Sequence, residues 1–216
     1  FMSSYNHHAF IQATDQDDKP DGTLERCTSV GSMEQTSPLF EFTGSSFTSD
    51  GNYLALPEKS AIKLNQGQQW VIEAHFINPT PDRIIVNAAF NLGFVPVETV
   101  ERWTASWQFD IGDLLVPAGQ ESTLQFECGF PMDVSLLTLA GHMHEFGRKQ
   151  VIELIQGEEK SPLYAVEEWT PEYRDYPPLS SWEPDELLLT PDERFSIACT
   201  WKNTGEQDLV FPQEMC

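Results

Sequence analysis

Apolar residues fall along this chain in short runs broken by polar turn residues, with no sustained helical period, as expected of strands. The runs Trp70 to Ile77, Ile84 to Phe94, Ala105 to Ile111, Ser122 to Phe130, Val134 to Ala140, Gln150 to Ile155 and Phe195 to Lys202 are rich in β-branched and aromatic residues and read as strands. Turn signals separate them: Asn65-Gln66-Gly67, Pro117-Ala118-Gly119, Gln156-Gly157 and Asn203-Thr204-Gly205. No segment sustains a 3.6-residue period with capping residues. The pattern predicts an all-β protein built as antiparallel β-sandwiches of jelly-roll type. Asn78-Pro79-Thr80-Pro81-Asp82 interrupts the pattern directly after a strand and is the best linker candidate, which divides the chain into residues 1–80 and 81–216. No internal repeat is visible.

Composition narrows the class. The chain has 216 residues, 40% of them apolar, enough to bury a core in one or two domains. No run reaches the roughly eighteen apolar residues of a membrane helix. A formal net charge of −22 argues against nucleic-acid or anionic-membrane partners and fits a solvated acidic surface. The acidic stretch Asp15 to Gly22 reads as a solvated turn, because Lys19 and Pro20 stand where a calcium loop needs oxygen ligands and flexibility. The aromatic region Trp169 to Trp182 reads as an ordered loop covering the sheet, with a substrate wall as the alternative.

The candidate chemistry lies in the histidines. His7 and His8 are adjacent, His75 stands alone, and His142-Met143-His144 forms an HxH triplet, with Met215 beside Cys216 further along. This gives a three-imidazole set and a two-imidazole set completed by a thioether, a soft ligand that favours Cu(I). Geometry restricts the grouping. His142 and His144 share a face if Leu137 to Phe146 is extended. Adjacent strand residues face opposite ways, so His7 and His8 can share a metal only at a strand end or bulge.

Four ordered stretches add a resemblance. Leu139-Ala140-Gly141-His142-Met143-His144-Glu145-Phe146-Gly147-Arg148-Lys149 is similar to the HTHxxGRK-type segment of the copper type II, ascorbate-dependent monooxygenases, the family of dopamine β-monooxygenase and peptidylglycine α-hydroxylating monooxygenase. Val71 to Pro79 resembles that family's LEVHYxNP segment. Ala198-Cys199-Thr200-Trp201 with Gln213-Glu214-Met215-Cys216 resembles its SCTY and EEMC pair, and Asn6-His7-His8 falls where the family has its histidine pair.

The resemblance implies that His7, His8 and His75 hold one copper, which relays electrons from ascorbate. It implies that His142, His144 and Met215 hold the other, which binds oxygen and hydroxylates a C–H bond of a small-molecule substrate. On this reading His142, His144 and Met215 are the catalytic set. All six ligands are neutral, so Glu73 and Glu145 are candidates to tune the sites, with a solvent-facing role as the plainer alternative. The family pairs cysteines at the positions of Cys199 and Cys216. Such a bridge would fix the thioether beside the metal and requires an oxidising compartment, so the protein is expected to be secreted, periplasmic or otherwise extracytoplasmic. Cys27 and Cys128 either pair with each other or with partners on sequence beyond this chain.

The sequence also departs from the family. Peptide-hydroxylating members carry an arginine where this chain has Ala140, so a peptide glycine end is a poor substrate expectation. The first domain looks incomplete and the chain begins with Phe, so a removed leader, a fragment, or a protein partner supplying missing strands are the expectations. A copper-binding protein without turnover, or a structural or interaction domain on the same scaffold, is the alternative to the enzyme.

Overall fold

The computed structural model describes residues 6–14, 19–24, 36–43, 56–76, 78, 80–86, 91–174, 177–211 and 214–216, with residues 6–10, 36–43 and His75 described through their backbone. The chain is all-β, with several antiparallel sheets and, among the described residues, no closed barrel. It forms two compact units, residues 1–108 and 109–216. The division falls after Gln108. The expected linker Asn78–Asp82 is instead a turn inside the first unit, where the Asn78 amide donates to the Asp82 carbonyl at 2.8 Å and accepts from the Thr80 N–H at 3.0 Å.

In the first unit, β1 (Asn6–Thr14) lies between β2 (Thr36–Thr43) and β4 (Gln69–Phe76), antiparallel to both. Short β3 (Ser60–Ile62) pairs in parallel with β5 (Arg102–Thr104). Ile11 and Ala13 of β1 are buried against Ile62, Leu64 and Leu92.

The second unit is built on a four-stranded sheet. β10 (Gly147–Gln156) and β14 (Arg194–Lys202) run through its centre, with β11 (Glu159–Val166) and β7 (Glu121–Cys128) at its edges. Three antiparallel ribbons supplement it: β6 (Leu115–Val116) with β15 (Leu209–Val210), β8 (Val134–Ser135) with β13 (Leu188–Leu189), and β9 (Thr138–Ala140) with β12 (Leu179–Ser181). The core is made where Ile152, Leu154, Phe195, Ile197 and Trp201 of the sheet meet Val116, Leu189 and Leu209 of the ribbons. Phe109, Phe130 and Phe195 pack edge to face at 5.6 to 6.3 Å between centroids, the arrangement that ring quadrupoles favour.

The turns follow their chemistry. Gly67, Gly119 and Gly157 all have positive φ, and Gly157 closes the two-residue hairpin between β10 and β11. Asn203 is fully buried, yet its amide is satisfied by the Val116 and Gln207 carbonyls and the Gly205 N–H. Ala105 to Ile111, an expected strand, is an irregular segment whose Phe109 and Ile111 side chains pack on the core; β-propensity reports fit to a sheet surface, and this run has no partner ladder. Of the expected strand Ile84 to Phe94, the described residues are in no strand, and residues 87–90 lie outside the described ones. Among the described residues, no helix is long and apolar enough to cross a membrane.

Candidate metal centre

His142 and His144 sit on the connection from β9 to β10. β9 ends at Ala140, where the expected strand ends, and the extension to Phe146 on which a shared face depended does not form; at Gly141 a Cβ would lie 1.7 Å from Gln150 Oε1 and 2.9 Å from Tyr164 Cε1. The alternation of sides nevertheless persists. Gly141 and Met143 are buried, while His142 and His144 are only partly so. Met143 is fully enclosed against Gly147, where a Cβ would meet Met143 and Trp169 at 2.9 Å. Met143 thus anchors the triplet in the core, and the two imidazoles stand together with centroids 5.1 Å apart and planes at 88°.

The arm carrying Met215 meets this connection. Glu214, which is 1% exposed, accepts from the His144 N–H at 3.1 Å through Oε2 and from the Phe146 N–H at 3.0 Å through Oε1. Met215 is buried, and Cys216 is bonded to Cys199 of β14 with Cα atoms 6.2 Å apart, within ordinary disulfide reach. The Ile111 N–H donates to the Cys216 carbonyl at 3.3 Å. Burial pushes the Glu214 carboxyl up to about 7, while the Phe146 and His144 N–H groups hold it down.

A metal bound through imidazole nitrogens at about 2 Å can reach both rings at this spacing. Both oxygens of the buried Glu214 carboxylate accept from backbone N–H groups, and two imidazoles with the thioether that the resemblance implies would suit a soft ion. Among the described residues, no group of three or more His, Cys, Asp or Glu side chains forms a metal site; the second proposed set has only two such residues, His142 and His144.

The first set is defined by backbone register. His8 lies opposite His75 across β1 and β4, and a register shift between Asn6 and His8 makes His7 the extra residue of an irregularity. That is the local geometry in which adjacent residues need not face opposite sides. The side chains of His7, His8 and His75 lie outside the described atoms, as does Cys27. Cys128 is a free thiol among the described residues, and burial raises it to about 11.

Glu145 is exposed and 3.4 Å from Arg174. The Trp169 to Trp182 segment covers the sheet. Trp169 is buried, Tyr173 packs on it edge to face at 5.7 Å, and β12 lies beside β9. Sequence reasoning did not single out Glu214 and Gln150. The available signal was an acidic residue in the apolar, cystine-bearing Phe211 to Cys216 stretch, and a polar residue on the inward face of β10. No protein-family model and no curated protein matches this chain.

Proposed function

We propose that the chain is a copper-dependent monooxygenase that hydroxylates a C–H bond of a small organic substrate, with oxygen as co-substrate and ascorbate as reductant. The observation that carries this reading is the approach of the His142 and His144 rings to 5.1 Å on a connection that Glu214 bonds to the Met215 arm. Bound copper would supply oxygen activation and one-electron transfer. His142, His144 and Met215 would hold one ion, the thioether favouring Cu(I), and His7, His8 and His75 would hold the second. Met143, between the two histidines, is buried and meets Trp169 around Gly147, which anchors the triplet in the core. The Cys199–Cys216 bridge fixes the Met215 arm, and it fits an exported protein.

The test is ascorbate-dependent oxygen uptake by the copper-reconstituted chain across a screen of aromatic amines, alcohols and peptides. Uptake should match product formation, His142→Ala should abolish it, and His75→Ala should mainly slow it. Copper binding without uptake across the screen would replace the enzyme by a copper-binding protein, and failure to bind copper would leave a scaffold.

A further inference from the structure

Two segments far apart in sequence, one carrying His142 and His144 and the other Met215, are joined by one buried side chain. Glu214 directly precedes Met215, and its carboxylate oxygens accept from the N–H of the ligand residue His144 and from the N–H of Phe146. A buried carboxylate is costly to desolvate, and an apolar side chain would fill the same volume at lower cost, so packing alone does not account for Glu214. Two acceptors on one rigid group, bonded to alternate N–H groups, fix the backbone from His144 to Phe146. Gln150 lies between the same two segments: it sits directly across from Cys199, its Nε2 lies 3.9 Å from Cys216 Sγ, and its Oε1, which has no hydrogen-bond partner among the described residues, packs beside Gly141, which precedes His142.

We propose that Glu214 is the positioning residue of this site, holding the histidine connection and the Met215 arm in fixed relation before any metal binds. The role in copper chemistry rests on the monooxygenase reading; the clamp itself is a property of the copper-free chain. It acts through the ligand residues and holds no ion itself.

Amide exchange on the copper-free, full-length chain tests the clamp. The His144 and Phe146 amides should exchange about 100-fold more slowly than in an unstructured peptide. In Glu214→Gln, which replaces one acceptor oxygen by a donor, their protection should fall about tenfold or more while Ile152 and Ile197 in the β10–β14 ladder stay protected. X-ray absorption of the Cu(I)-loaded chain should show sulfur scattering in the native protein. In Glu214→Gln that scattering should be lost with imidazole scattering retained, and Cu(I) should bind the site about 10- to 100-fold more weakly. Fast exchange of the two amides in the native chain, or undiminished sulfur scattering and affinity in the variant, overturns the proposal. Absence of sulfur scattering in the native chain instead overturns Met215 as a copper ligand, and the amide comparison then decides the clamp alone. If Glu214→Gln loses ladder protection as a whole, Glu214→Asp, too short to reach both N–H groups, takes its place with the same expectations.

Discussion

Gly141 leads into the histidine triplet without a side chain because the inner face of the sheet leaves no room for one. Gly141→Ala should force Gln150 and Tyr164 out of place and destabilise the second unit by about 1–3 kcal/mol, measured by denaturant unfolding. Met215→Ile keeps the volume and removes the thioether. It should spare copper at His7, His8 and His75 and abolish sulfur scattering, and sulfur scattering that persists would rule out Met215. Cys128 carries a pH prediction. Burial disfavours its thiolate and pushes the thiol from 9.0 to about 11. The reactive fraction at a given pH is then about a hundredfold below that of an ordinary thiol, so alkylation should be slow near neutrality and rise about tenfold per pH unit without a plateau up to about pH 9.5. At this scale the sequence drew out the histidines and Met215 as candidate soft-metal ligands. It hid Glu214 and Gln150, because their partners are backbone N–H groups and a cystine brought close only by the fold.

The strands that were legible are those with a partner ladder and one buried face. The Phe195 to Lys202 alternation became β14, paired on both sides, and the Ser122 to Phe130 alternation became β7. β1 and β2 escaped notice because polar residues interrupt them, and β11 because Pro162 and the flanking charges mask its inward Tyr164 and Val166. Gln156-Gly157 was readable for the opposite reason, since a two-residue hairpin with positive φ demands glycine whatever surrounds it. The Cys199–Cys216 bridge, which the family resemblance implied, ties the C-terminal arm to a central strand at a sequence separation of 17. Closing a loop of that length corresponds to about 3 kcal/mol in the chain-entropy account, so Cys216→Ser should lower unfolding stability by about that amount. The same variant should release the Met215 arm and weaken Cu(I) binding at the second set alone. Mass mapping of non-reduced, native protein should recover Cys199 and Cys216 as one linked peptide pair, and either one found as a free thiol would contradict the bridge.

Across the whole molecule, the two proposed ligand sets belong to different compact units. His7, His8 and His75 fall within residues 1–108, and His142, His144 and Met215 within residues 109–216. Each unit has its own buried cluster, Ile11 with Ala13 in the first and the sheet-and-ribbon core in the second. Ligand sets carried by separate cores should load independently, because removing an imidazole from one leaves the packing that positions the other untouched. Copper titration of the native chain should therefore end at one ion per set. His142→Ala with His144→Ala should lower the end point by one ion with no change at the first set, and His75→Ala should do the reverse. The net charge of −22 bears on how this is measured: a strongly anionic surface attracts Cu(II) non-specifically at low ionic strength, and salt screens that attraction. Titration with Cu(I) at about 0.15 M salt, where surface carboxylates compete poorly with imidazole and thioether, separates the two contributions. An end point unchanged in both variants would mean that carboxylates hold the copper, and the histidine and methionine sets would lose their assigned role.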